Sequence, residues 1–169
     1  MSTPVVQYVL PARVVSRADM TRLIRELETV DNELEQQKAR HQGSSGHYQL
    51  PTLSQALSDF LTANKLDVGD DHVRLDLKAQ LRKLKDHAPV LHMTFATEVD
   101  PESMQSITAW VRRELHPQAL VSAGLQPSLV AGVYVRTPNH VHDLSIRSFM
   151  KDSRKLIVEA LDQLKEPAV

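Results

Sequence analysis

Met20, Leu23, Leu27, Val30 and Leu34 recur at alternating spacings of three and four. That spacing lays them along one stripe of a helix, in the a/d pattern of a coiled coil. Ile24 widens the stripe, and Ser16 with Asp19 three residues on has the form of a capping box. The stripe spans about two heptads, short of the ~3–4 that argue for a free-standing coiled coil. It serves either as an assembly surface or as a face covered by the chain's own helices, and the covered reading is favoured. Upstream, residues 1–15 alternate apolar pairs with Pro4 and Pro11, which predicts an extended arm or edge strand. Downstream, His41 to His47 is Gly/Ser-rich and reads as a loop. Pro51 and Thr52 then open a helix carrying Leu53, Ala56, Leu57, Phe60 and Leu61. Asp70 or Asp71 caps a further helix using Val73, Leu77, Leu81 and Leu84, although the alternation Val73, Leu75, Leu77 also suits a short strand.

After Pro89 the period changes to two. Val90 to Ala96 predicts a strand. Asp100 caps the next helix with Pro101 at its first position, and its buried stripe is Met104, Ile107, Val111 and Leu115, with Trp110 beside it. Ala119 to Leu125 predicts a second strand. Two β-rich runs, Leu129 to Arg136 and Val141 to Ile146, flank the turn residues Thr137, Pro138 and Asn139, which makes a hairpin. A last helix runs from Phe149 to about Lys165. The fold class is therefore α+β. An N-terminal helical region of three main helices with an extended arm (residues 1–89) precedes a small β-α-β-β-α domain (residues 90–169).

Composition narrows the function. The 169 residues carry 41% hydrophobic side chains but only 4% aromatic ones, so the core must be mostly aliphatic. Residues 1–89 hold twelve Lys/Arg and twelve Asp/Glu, and neither half has the positive excess of a nucleic-acid binder. With no cysteine, disulfides, thiolate zinc sites and cysteine nucleophiles are excluded. No leader pattern and no run of ~18 apolar residues occurs, which points to a cytoplasmic protein without direct membrane insertion.

The hairpin carries a further signal. Ser128, Leu129-Val130, Ala131-Gly132, Val133-Tyr134-Val135-Arg136 and Asp143-Leu144-Ser145-Ile146-Arg147 follow one another in an order that resembles the closing motif of the delta subunit of F-type ATP synthases. This family includes the oligomycin-sensitivity-conferring protein. The resemblance covers about residues 90–164. Gln126 and Leu144 depart from it, standing where the family often has Asp and Gly, and residues 1–89 offer three helices against the family's six-helix N-terminal bundle. What it implies is a non-catalytic connector without a cofactor, holding the peripheral-stalk b subunit to the alpha subunits of the catalytic head during proton-driven ATP synthesis. Ser128, Gly132, Asp143, Ser145 and Arg147 would then be structural motif residues, with Asp143 or Ser145 capping the last helix. Trp110, Val111, Leu156, Ile157 and Leu161 are the candidate partner-binding residues, because the doubled apolar positions widen the stripes of their helices. The alternative is a delta-like domain reused as a stand-alone adaptor or regulatory module.

Catalytic and metal readings are weaker. His140 and His142 share a face on a strand, as a zinc pair would, yet no third ligand has motif spacing. Neither Ser128 nor Ser145 lies in a G-x-S-x-G context, and no phosphate-binding loop pattern is present. A small hydrolase or metal enzyme is the most distant reading.

Overall fold

Local chemistry opens each helix. Ser16 and Asp19 cap one another, the Asp19 carboxylate accepting the Ser16 N–H at 2.9 Å and Ser16 Oγ accepting the Asp19 N–H at 3.3 Å, which is the reciprocal arrangement of a capping box. The computed structural model describes residues 8–40, 50–137, 139–151 and 153–154. Within them run α1 (Arg17–Arg40), α2 (Gln55–Asn64), α3 (Asp71–His87), β1 (Val90–Phe95), α4 (Pro101–Glu114), β2 (Leu120–Leu125), a 3-10 turn (Pro127–Leu129), β3 (Gly132–Arg136) and β4 (Val141–Ser145). Residues 146–151 and 153–154 are helical. The fold is α+β, helices followed by a small four-stranded mixed sheet. The segment from His41 to His47, residues 1–7, and the last helix beyond residue 154 with Leu156, Ile157 and Leu161 lie outside the described residues.

The chain divides into two compact units, Met1–Pro89 with Glu102–Val121, and Val90–Pro101 with Ser122–Val169. This differs from a single join at Pro89, because α4 belongs with the N-terminal helices.

In the first unit Met20, Leu23, Ile24, Leu27, Val30 and Leu34 of α1 are buried, and α1 packs on α3 and α2. The stripe is covered by the chain itself. α2 begins later than Pro51, because Ser54 is its cap: Ser54 Oγ accepts the Leu57 N–H at 3.3 Å. Glu26 of α1 holds that cap in turn, accepting the Ser54 N–H and hydroxyl at 2.6 Å each. Residues 71–87 form a helix rather than a strand, capped by Asp70, whose carboxylate accepts the His72 N–H at 2.8 Å. Its buried stripe is Arg74, Leu77, Leu81 and Leu84, with Gln80 beside it. Arg74 is wholly buried and fully engaged, donating to Asp31 (2.6 Å), Asp71 (2.5 Å) and the carbonyls of Val68 and Gly69. A buried guanidinium is tolerable only with such a complete set of acceptors.

α4 buries Met104, Thr108 and Val111, and Thr108 Oγ1 donates to Met104 O at 2.7 Å, so its hydroxyl is satisfied. Leu115, expected on this stripe, is exposed. The helix ends at Glu114, and both Leu115 and His116 donate their N–H to Val111 O, turning the chain away. Arg112 ties α4 to the N-terminal arm. Its guanidinium donates to the carbonyls of Leu10 (3.2 Å), Pro11 (2.8 Å), Ala119 (3.1 Å) and Val14. The arm is also held by Asn64, whose side-chain amide pairs with the Val9 peptide both ways at 2.8 and 2.9 Å. The Val121 N–H donates to Val15 O at 2.8 Å.

The second unit carries the sheet, ordered β2-β1-β3-β4, except for Leu120 and Val121 at the start of β2. Leu120 N bonds Pro89 O and Gln126 N bonds Phe95 O. This constant offset means that β1 and β2 run parallel, as strands joined through a helix must. β1 pairs antiparallel with β3 (Met93 opposite Val135), and β3 with β4 (Gly132 opposite Ser145). Leu91 and Met93 are its buried side chains on β1.

Candidate functional site

The hairpin begins later than the apolar run suggests. Pro127–Leu129 form a 3-10 turn with proline at its start, after which Val130 adopts φ 66°, ψ −56° and the Ala131 N–H donates to Leu129 O at 2.7 Å. This is a γ-turn of the strained kind, held by a β-branched residue at positive φ. Leu129 and Val130 are therefore not strand, and β3 starts at Gly132. Gly132 itself has φ +97°, and a Cβ there would collide with Leu144 O and lie 2.7 Å from Ser145 Cα. Only glycine fits both the backbone angle and the approach of the opposite strand.

Ser145 stands opposite Gly132 and is buried. Its Oγ accepts the Ser148 N–H at 3.4 Å, capping the helical turn that follows, while Asp143 Oδ1 accepts the Ser145 N–H at 3.0 Å. The hydrogen bonds from Ser145, hydroxyl first and then N–H, hold the Asp143 carboxyl below its ordinary range, with Lys151 and Arg147 adding to the effect. Ladder bonds from Thr137 N to His140 O and from Ile146 N to Ala131 O set the phase of the hairpin. Val141, Asp143 and Ser145 accordingly turn their backbone groups away from β3, and Asp143 closes one of these open donors. The free edge of β4 is thereby shortened as a template for another strand.

Of the expected motif residues, Gly132, Asp143 and Ser145 come together as one structural knot. Ser128 is exposed and pairs with Gln126 Nε2 at 3.0 Å. Arg147 is exposed and touches the knot only through its charge. Trp110 is half-exposed, whereas Val111 is wholly buried; it is a core residue and closed to a partner. The His140 and His142 ring centroids lie 6.3 Å apart, and no cluster of three or more metal-ligating side chains occurs among the described residues. A shallow hollow of about 260 Å³ at the ends of β1 and β2 offers Glu98 and Thr97 amid apolar lining, without a nucleophile and base in contact. A groove of about 530 Å³ between α1 and α3 is lined by Glu28, Asp31, Lys78 and Arg82, and these neutralise one another in pairs.

What sequence reasoning missed is on the surface around the knot. Leu144, Ile146, Phe149 and Met150 are all exposed, at 64, 45, 71 and 63%. The signal was present, since Leu144 stands in β4 at a position where the resembled family often has glycine. Arg74 and Arg112 were also missed. Arg74 lies three residues before Leu77, on the stripe itself, which was the available clue. No family model and no curated protein matches this chain. Among the described residues no helix is long and apolar enough to cross a membrane.

Proposed function

We propose that this chain is a delta-like connector of an F-type ATP synthase, joining the b subunit of the peripheral stalk to the alpha subunits of the head without catalytic chemistry of its own. The observation that carries the reading is the meeting of Gly132, Asp143 and Ser145 in one hairpin, in the order and spacing that resemble the delta motif and at the entrance to a helix. The β-α-β-β order around the hairpin supports it. So does the exposed apolar surface beside the knot, which suits a helix-in-groove partner. A peptide of the C-terminal ~20 residues of the b subunit from the same organism, titrated into the full chain, should bind with a micromolar or tighter constant. Absence of binding in the tens of micromolar, together with failure to co-purify with the synthase, overturns the reading. A second reading, a stand-alone adaptor, draws on the first unit: three helices and α4, where the resemblance implies a six-helix bundle. It predicts stable full-length protein recovered apart from any synthase subunit.

A further inference from the structure

We infer that the helical turn after β4 is the docking face for a partner helix flanked by acidic residues. At roughly 100° per residue, Ile146, Phe149 and Met150 fall within a ~100° arc, and Arg147, Lys151 and Arg154 within an adjoining ~60° arc. All six are exposed, and Leu144 extends the apolar arc onto β4. A helix ordinarily turns its apolar stripe to the core; here the stripe faces outward and Ser145 and Ser148 are the more enclosed positions. The cations beside it have no ion-pair partner among the described residues. The ion pairs from Arg13–Asp59 to Arg113–Glu114 all join residues of the first unit. None of those pairs involves Arg147, Lys151 or Arg154, and the exposed carboxylate of Asp143 feels the charges of Lys151 and Arg147.

Charge selects the occupant. In a two-fold pair of such helices running antiparallel, like flanks face one another, so a second copy would set one basic stripe against its image. The outward edge of β4 is shortened by Asp143, which disfavours an added strand. An amphipathic helix with its own apolar stripe and Glu or Asp along one flank satisfies both arcs, apolar against apolar and acid against base. The surface and the partner's chemistry follow from these residues alone. The inference rests on the connector reading only if that helix is taken to be the b-subunit terminus.

Two synthetic amphipathic peptides with identical apolar positions, one flanked by Glu and one by Lys, are titrated into the full chain at low salt. The Glu peptide should bind about tenfold tighter or more, and R147E/K151E should reverse that preference while leaving the circular dichroism spectrum unchanged. F149D should weaken both peptides. If the double variant fails to fold, R147Q/K151Q should abolish the preference instead. Equal affinity for the two peptides, a preference that ignores the substitutions, concentration-dependent dimerisation through Phe149, or binding of anionic vesicles in place of the Glu peptide each overturns the inference. The b-subunit peptide separates the two proposals. If the Glu peptide binds as described and the b peptide does not, the docking face stands and the connector reading falls. If the b peptide binds but is indifferent to R147E/K151E, the connector reading stands and this face is not its site.

Discussion

Gly132 and Val130 both hold positive φ two residues apart, and the consequences are opposite. At Gly132 the angle and the opposing backbone forbid a side chain, so Gly132→Ala should cost about 2–4 kcal/mol in urea unfolding. At Val130 the same kind of angle is borne by a β-branched residue. Val130→Gly relieves roughly 1–3 kcal/mol of strain against about 1 kcal/mol of added chain entropy, so the unfolding midpoint should hold or rise. A large drop for that variant would count against the strained turn. Arg112 has a different logic, because among the described residues it meets four carbonyls and no carboxylate. Burial pushes its pKa down to about 10, which leaves it charged at neutral pH. Arg112→Met leaves those carbonyls without their donor and should cost about 2–4 kcal/mol. It should also speed tryptic cleavage after the exposed Arg13; unchanged cleavage would show that the arm does not depend on this side chain.

Between α1 and α3 the stabilising contacts mix an aliphatic seam with a charge network. At Asp31, burial works to raise the pKa, but hydrogen bonds from Lys78 and Arg74 outweigh it and hold the carboxyl below its ordinary value. At Asp71, hydrogen bonds from Lys38 and then Arg74 act in the same direction. The unfolded chain therefore takes up protons first as the pH falls. The contribution of these pairs is complete well above the unfolded carboxylate value of about 3.9 and is lost as pH drops through the lower folded values. Helical circular dichroism followed from pH 7 down to pH 2 should show that loss. Asp31→Asn should shrink this acid-dependent part and, by leaving Arg74 buried without its main partner, cost about 3 kcal/mol at neutral pH. An unaltered acid limb in this variant would place the titrating groups elsewhere. The α1–α2 junction is smaller in scale: Ser54→Ala removes both a cap and the hydroxyl's bond to Glu26, leaving the backbone N–H bond to Glu26 in place, and should cost about 1 kcal/mol.

Across the whole chain, the sharpest test concerns where it divides. Residues 102–121 group with residues 1–89, and Arg112 and the Val121 N–H donate hydrogen bonds to the carbonyls of Leu10, Pro11, Val14 and Val15. A fragment of residues 88–169 keeps α4 but lacks those partners. It should show no cooperative thermal transition by itself, and adding residues 1–89 in trans should restore helical signal. Cooperative folding of the fragment alone would instead favour the division at Pro89.

Element order and fold class were legible in the sequence because hydrophobic period is a local property: three-and-four spacing at Met20 to Leu34 and period two after Pro89 each report which side of a segment avoids water. Gly132 was legible for a similar reason, standing in a short motif where a close backbone approach could be expected. What a side faces is not local. Arg112 reads as a cation near a helix end until the fold brings Leu10 to it from 102 residues away. Val111 and Leu115 look like equal members of one stripe until the chain turns at Glu114. The outward face of Ile146, Phe149 and Met150 has the pattern of a core-facing stripe. Tertiary structure alone decided these points, because burial depends on which distant segments arrive, and a periodic pattern states only that something apolar should.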